Sequence, residues 1–280
     1  MSSTRLELRR LIGDVTGDML LLTATSAGTT STFPDTSRLA DRGDRAPSLI
    51  NKLLYFSGGT SANLGHEAAV TDFTSSTRTL TFAPVAPASV ASTDVAELWS
   101  ATERIGSVSA IHRLINYAIK QVQDMAGLEE YSAAATFNAR TGLLTIPATW
   151  IEVGGVEYTD STGYVREIPS RWLKVRPAGY KLEIVGRGAA LADRRSVRLF
   201  GYPRVSQLTT DSAASTGTTS VDAGWIVNCV AEALTLAPSW RASDPAAAER
   251  RANFWATQAQ LYKRDVAAPR RGLHVALPLA

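Results

Sequence analysis

The amino-acid sequence predicts an α+β protein: a helical body, formed by a central helix and a C-terminal helix pair, with an inserted antiparallel β-rich domain. Three observations predict it. Residues 107–127 show the most regular helical spacing of apolar side chains, two helical stretches follow residue 221, and runs of β character flank the central helix. An extended N-terminal arm and a C-terminal tail complete the expected architecture.

The chain of 280 residues is expected to divide into five successive segments. They are residues 1–48 (N-terminal helix and extended arm), 49–103 (first β-rich segment), 104–130 (central helix), 131–208 (second β-rich segment) and 209–280 (linker, C-terminal helix pair and tail).

The N-terminal segment begins with a short amphipathic helix, predicted from Thr4 to Ile12 and ended by Gly13. Gly17 is a second predicted stop for this helix. Its charged side chains, Arg9 among them, are expected on the polar face. Residues 24–47 are rich in Ser, Thr, Gly, Asp and Arg. Two interpretations stay open, an extended arm that orders against a neighbouring subunit and plain disorder. Deleting residues 24–47 is expected to leave the fold intact and to weaken assembly.

The central helix is predicted between Ser107, which can cap its start, and Gly127, a left-handed stop. Its apolar stripe recurs at three- and four-residue spacing through Val108, Ile111, Ile115, Ala118, Val122 and Met125. Runs of β character precede it at Leu49–Gly58, His66–Phe73, Thr79–Phe82 and Asp94–Trp99.

The second β-rich segment opens with a predicted hairpin, in which residues 134–137 and 143–146 flank a loop that contains Gly142. Further strands are predicted at 149–158, 172–175, 180–185 and 196–200. A low-complexity linker, residues 209–220, follows them. Asp222 and Asp244 can cap the two C-terminal helices, and Pro245 suits a first helical position.

The composition suits a folded protein, because 45% of residues are hydrophobic and 20% are charged. A net charge of +3 is too small to predict nucleic-acid binding by itself. The single cysteine, Cys229, excludes an internal disulfide. No apolar run reaches the roughly 20 residues of a membrane span, so no membrane partner is expected.

The sequence offers no catalytic constellation. The three histidines are far apart and lack metal-ligand spacing, no Gly-x-Ser-x-Gly elbow occurs, and the Gly pairs lack the ending of a phosphate-binding loop. His112, on the central helix, is expected to be structural. We therefore expect no enzyme activity, no catalytic residue, no cofactor and no metal. Glu157 and Glu183 are the only acids worth testing for glycoside cleavage.

Basic residues are clustered in the second β-rich segment and near the C-terminus, with aromatic residues interleaved. Base stacking combined with phosphate contact would use that mixture. The other interpretation, which we favour, is that the aromatics are core and the arginines form contacts between subunits. The candidate DNA or subunit contacts are Arg171, Lys174, Arg176, Arg250, Arg251, Arg270 and Arg271.

Three stretches together resemble a known family. Residues 70–99 run through Thr-Leu-Thr-Phe and a Pro/Ala-rich loop to Glu-Leu-Trp, residues 112–122 read HRLINYAIKQV, and residues 197–211 read VRLFGYPRVSQLTTD. Over roughly residues 50–270 this order of segments resembles neck proteins of tailed bacteriophages, the head–tail connector or adaptor family.

The resemblance implies a structural virion protein without enzymatic activity. It would form a homo-oligomeric ring, commonly twelve-fold, beneath the portal ring in the neck between head and tail, after synthesis in the host cytoplasm. Its partners would be other copies of itself, the portal protein and tail or other neck proteins. DNA would pass through the lumen during genome ejection with weak, non-specific contacts.

Two alternatives remain open at this stage. One is another tail component, such as a tail terminator, tail tube or baseplate protein, although three helices argue against a tube. The other, less favoured, is a glycan-binding or glycan-cleaving β module, which needs exposed aromatics on one sheet face or two carboxylates across a groove.

Overall fold

The computed structural model describes residues 3–39, 49–100, 107–125, 130–140, 142–176, 180–203, 207–211, 218–219, 221–236, 245–266 and 275–276. Over these residues the protein is α+β, with helices and antiparallel sheets, as the sequence predicts. The chain divides into two compact units. The first unit comprises residues 1–118 and 207–262, and the second comprises residues 119–206 and 263–280.

The described residues form five α-helices: α1 (Arg5–Thr16), α2 (Val108–Met125), α3 (Arg187–Ala192), α4 (Ala223–Thr235) and α5 (Pro245–Val266). The strands in the same residues are β1 (Ser3–Thr4), β2 (Met19–Thr23), β3 (Thr32–Pro34), β4 (Leu53–Gly58), β5 (Glu67–Thr74), β6 (Thr79–Ala83), β7 (Val95–Trp99), β8 (Glu130–Tyr131), β9 (Ala135–Thr136), β10 (Leu143–Thr145), β11 (Trp150–Thr159), β12 (Val165–Glu167), β13 (Leu173–Arg176), β14 (Lys181–Ile184), β15 (Ser196–Pro203), β16 (Thr218–Thr219) and β17 (Val275–Ala276).

The first unit is built on a six-stranded antiparallel sheet in the order β2-β7-β4-β5-β6-β3. Phe56 of β4 packs edge-on against Phe33 of β3 and Phe82 of β6, with ring centroids 5.9 and 5.7 Å apart. All three rings are buried. Aromatic pairs in this geometry add to the stability that burial alone provides, so these rings connect edge and centre of the sheet.

The prediction of an extended N-terminal arm is wrong for those of its residues that the structure describes. Residues 32–34 form the edge strand β3, which pairs with β6, and Phe33 and Leu39 are fully buried. Removing residues 24–47 would therefore take an edge strand and core side chains from the first unit, and the intact fold expected of this deletion does not follow. Residues 40–47 lie outside the described ranges.

Helix α1 is one turn longer than predicted, because Gly13 serves close packing and does not end the helix. A Cβ at Gly13 would overlap the Met19 Cβ and touch the Trp99 ring at 3.0 Å. The helix ends at Gly17, the second of the two predicted stops, whose φ of 69° is the left-handed conformation of a C-cap. At the start, Thr4 and Glu7 form a capping box.

The central helix α2 confirms the predicted stripe over its described side chains. Val108, Ile111 and Ile115 are fully buried. Helix α4 packs against α2, because the Trp225 indole donates a hydrogen bond to the Ala118 carbonyl at 3.1 Å. Asp222 caps α4 as predicted, accepting from the Trp225 backbone N–H.

The second unit holds two antiparallel sheets. One has the order β12-β11-β15-β8, with β17 also beside β11 and β9 also beside β15, and the other has the order β10-β14-β13. Burial alternates along β14, where Leu182 and Ile184 point into the core between half-exposed Lys181 and Glu183, as predicted.

The predicted hairpin across residues 134–146 is wrong. Strand β9 pairs with β15, and β10 pairs with β14, so the two runs join different sheets. Gly142 does adopt a left-handed turn conformation, with φ of 61°. The turn signal is therefore correct, but pairing is decided by where Phe137 and Ile146 can be buried, and both are 1–2% exposed.

Gly201 in β15 provides a test of packing in the second unit. A Cβ there would overlap the Trp150 ring and lie 2.7 Å from the Glu152 carbonyl oxygen. We expect Gly201→Ala to lower the free energy of unfolding by about 2 kcal/mol, because the ring or the strand has to move. Chemical denaturation followed by tryptophan fluorescence measures the change.

The matched control is Gly58→Ala in β4, where the added Cβ meets the Val95 side chain at 3.3–3.5 Å, a contact that a small shift relieves. It is expected to change the stability by less than about 1 kcal/mol. Equal effects of the two substitutions would contradict the close approach at Gly201.

Candidate functional site

In the described part of the first unit, buried and half-buried charged and polar side chains from five segments form one cluster. We call it the Arg9 cluster. It consists of Arg9, Tyr55, Glu97, His112 and Asp211, contributed by α1, β4, β7, α2 and the segment after β15. Arg9 and Glu97 are both 0% exposed.

Arg9 and Glu97 form a bidentate ion pair. The Arg9 Nε and Nη2 atoms donate to the two Glu97 carboxylate oxygens at 2.7 and 2.9 Å. The Trp99 indole N–H donates to the same carboxylate at 3.2 Å. Burial by itself lowers the pKa of Arg9, but the hydrogen bonds and charge of Glu97, with the charge of Asp211, raise it above its ordinary value. Arg9 is therefore a permanent buried cation whose charge is matched in place.

Asp211 connects the segment at residues 207–211 to helix α1. Its carboxylate accepts from Arg9 Nη1 at 2.7 Å and from Arg5 Nε at 2.5 Å. Burial raises the pKa of Asp211, but the charges and hydrogen bonds of Arg9 and Arg5 outweigh burial and hold it below its usual value. Nearby, the Asn116 side chain makes two hydrogen bonds with the backbone of Leu208 at 2.8 and 3.2 Å. Helices α1 and α2 thus both hold this segment.

His112 accepts a hydrogen bond and cannot carry a proton on the same atom. Arg9 Nη1 lies 2.8 Å from His112 Nε2, and because a guanidinium only donates, Nε2 is the acceptor of a neutral ring. Burial, followed by the positive charges of Arg9 and Arg5, lowers the pKa of His112 to about 3. The ring is therefore neutral throughout the physiological range.

Tyr55, on strand β4, contributes the phenol ring of the cluster. The Arg9 guanidinium lies over its ring, 4.6 Å from the centroid, and the hydroxyl donates to Asp211 at 3.4 Å. Burial raises the pKa of Tyr55 to about 12. His112, Tyr55 and Asp211 thus each keep one protonation state near neutral pH. The arrangement is suited to fixing five segments of chain against one another.

A surface cavity of about 330 Å³ lies at the ends of α1 and α4 and along α5. We call it the α1–α5 groove, and its lining residues are Val15, Thr16, Asp18, Thr235, Arg250, Arg251, Phe254 and Trp255. Val15 and Phe254 are 44% and 53% exposed. The groove therefore combines basic side chains with apolar surface that the first unit does not cover.

The structure distributes the predicted basic contacts over both units. Arg250 and Arg251 line the α1–α5 groove in the first unit. In the second unit Arg171 stacks over the Trp172 ring at 4.9 Å, and Arg176 pairs with Glu183 at 2.6 Å.

Lys174 belongs to the second unit and is exposed on β13. Arg270 and Arg271 lie outside the described residues. Each unit therefore presents basic side chains of its own.

The two acids chosen as glycosidase candidates are both ion paired. Glu157 on β11 accepts from Arg198 at 2.8 Å and is 5% exposed, while Glu183 on β14 pairs with Arg176. They lie on different sheets of the second unit. Nothing in this geometry sets them up as a catalytic pair.

Sequence reasoning misses most of the Arg9 cluster. Helical periodicity assigns Arg9 to the polar face of its helix, and Asp211 falls in the predicted low-complexity linker. Only His112 is expected to be structural, and the burial and hydrogen bond of its ring agree with that role. One feature of the sequence could have revealed the cluster. Glu97 is an acid inside the otherwise apolar run of β7, and a buried carboxylate needs a cationic partner.

Among the described residues, no group of three or more His, Cys, Asp or Glu side chains is arranged to hold a metal ion. No helix within those residues is long and apolar enough to cross a membrane.

Burial raises the pKa of the Cys229 thiol to about 12, so this cysteine stays protonated and unreactive at neutral pH.

Comparison with known proteins finds no protein-family profile that matches this chain and no curated protein with significant similarity to it.

Proposed function

We propose that this chain is a structural virion protein, a head–tail connector or adaptor that forms a ring beneath the portal of a tailed bacteriophage. One observation carries the proposal. The three stretches that resemble neck proteins each contribute one residue to the Arg9 cluster: Glu97 from residues 70–99, His112 from residues 112–122 and Asp211 from residues 197–211.

This convergence supports the proposal because each of the three stretches places one residue in the first unit around the same side chain. Here all three hydrogen-bond to a single arginine, over sequence separations of 88 to 202 residues. The stretches therefore behave as parts of one architecture, as a shared fold would require.

The proposed subunit has a helical body into which a β-rich part is inserted. Two contacts in the first unit support such a body: the hydrogen bond from Trp225 of α4 to Ala118 of α2, and the close approach of α5 to α4, where a Cβ on Gly224 would overlap the Tyr262 ring. The strands β8 to β15 all lie in the chain between α2 and α4.

In this proposal the ring has twelve subunits, and none of them catalyses a reaction. It contacts the portal protein on one side and tail or other neck proteins on the other, and DNA crosses its lumen. Exposed basic residues such as Lys174 would give the weak, sequence-independent contacts that a conduit needs. No specific observation favours a glycan-binding module.

The experiment is the mass of the purified protein in solution, measured by light scattering alone and after addition of candidate portal and tail proteins. We expect a ring-sized oligomer, or a monomer that forms a ring on the portal protein. Binding to a tail protein but not to a portal would move the assignment to a tail component. A monomer that binds neither would overturn the proposal.

A further inference from the structure

We propose that the α1–α5 groove docks helix α1 of a second copy of this chain, with Asp14 of one copy paired to Arg250 of the other. The inference deepens the proposed function, because it rests on self-assembly and names the surface through which copies meet. It requires only residues of the first unit.

The groove side of the contact is basic and apolar. Arg250 is exposed on α5 and lines the groove, with Phe254 one turn further along the same helix and 53% exposed. Leu261, seven residues after Phe254, is 58% exposed. Residues four and seven positions apart lie on one side of a helix, so Arg250, Phe254 and Leu261 share one side of α5.

The other side of the contact is acidic and apolar. On α1, Leu11 and Val15 are 43% and 44% exposed although both are large aliphatic residues. Asp14 lies exposed beside them, three residues after Leu11. This outer face of α1 is therefore an acid set among aliphatic side chains.

Charge complementarity identifies the occupant. The groove, whose lining also includes Val15 and the buried Asp18, offers the exposed Arg250 guanidinium and the Phe254 ring. The α1 face offers the exposed Asp14 carboxylate among aliphatic side chains. The two exposed charges are opposite in sign, and both surfaces leave apolar area exposed in a single copy. A second copy satisfies both surfaces at once, either reciprocally across a two-fold axis or head to tail around a ring.

The test is a charge exchange between two variants. Asp14→Lys and Arg250→Glu each place like charges at the contact, so each is expected to weaken self-association about tenfold in analytical ultracentrifugation. An equal mixture is expected to recover wild-type association, because the lysine introduced in one variant faces the glutamate introduced in the other, and the native pair forms at the remaining contact. Association that neither variant weakens, or that mixing fails to recover, would overturn the inference.

Neither variant should fail to fold. Both positions are exposed, and the last turn of α1 contains no basic residue, so a lysine there favours the helix dipole. Arg38→Glu, an equal charge change at an exposed position of the same unit, is the control and should leave association unchanged.

The outcomes separate this inference from the proposed function. A wild-type ring that assembles on portal protein but ignores both substitutions keeps the function and removes this contact. Recovery by mixing in a protein that forms only dimers and binds no portal keeps the contact and removes the connector assignment. A wild-type chain that stays monomeric up to its solubility limit overturns the inference.

Discussion

Replacing Arg9 with methionine is expected to lower the free energy of unfolding by about 3–5 kcal/mol, the largest effect of any single substitution proposed for this protein. Methionine fills much of the volume but removes both hydrogen bonds to Glu97, which is 0% exposed. The carboxylate is left buried with the Trp99 N–H at 3.2 Å and Arg10 at 3.5 Å. Urea denaturation at pH 7 measures the loss.

Two further variants show whether the stranded charge is the cause. In the double variant Arg9→Met with Glu97→Gln the fully buried carboxylate is replaced by a neutral amide, while Asp211 keeps Arg5 and the partly exposed Arg10 keeps contact with solvent. We therefore expect it to be more stable than Arg9→Met alone, by about 1–3 kcal/mol. Arg10→Met is the matched control. Arg10 is one third exposed and 3.5 Å from Glu97, so its loss should cost less than about 1 kcal/mol. A loss at Arg10 as large as that at Arg9 would contradict this account.

Acidification from pH 7 to pH 4.5 is expected to remove roughly 2–3 kcal/mol of stability, chiefly through His112. The pKa of His112 is lowered from 6.5 to about 3 by burial and by the charges of Arg9 and Arg5. Between these two values the unfolded chain binds a proton that the folded chain rejects. Stability is therefore full above pH 6.5 and declines as the pH falls toward 3. Thermal unfolding over a pH series measures the slope.

The His112→Gln variant isolates this contribution. The glutamine carbonyl oxygen can accept the hydrogen bond from Arg9 but does not titrate, so the additional loss between pH 6.5 and pH 4.5 should disappear. The pKa of Asp211 is lowered from 3.8, and its contribution is lost only at more acidic pH, in the same direction. An identical pH slope in wild type and His112→Gln would refute the assignment to His112.

Sequence alone determined those elements that local patterns specify. The stripe of α2, the strands around Thr79–Ala83 and Val95–Trp99, and the Asp222 cap of α4 all follow from side-chain period and capping chemistry within a few residues. These patterns depend only on residues that are close together in the sequence, so they can be read without knowing the fold.

Only the tertiary structure decided the pairings that join distant segments. Residues 32–34 look like part of a polar loop, yet β3 completes the sheet because Phe33 fits beside Phe56. Strands β9 and β10 follow one another in sequence, but each pairs with the partner that buries its neighbouring core residue. The choice of partner is a property of the assembled core, and no local pattern encodes it.

The Arg9 cluster shows the same limit most clearly. Arg9 occupies a position that helical periodicity assigns to solvent, and Asp211 lies in a stretch of Thr and Ser that suggests a linker. They lie 202 residues apart and are brought to 2.7 Å only when α1, β7 and α2 pack together. The sequence determined which charges the chain carries. The tertiary structure decided which of them are buried, because a charge is stable in the core only where its partners are already in place.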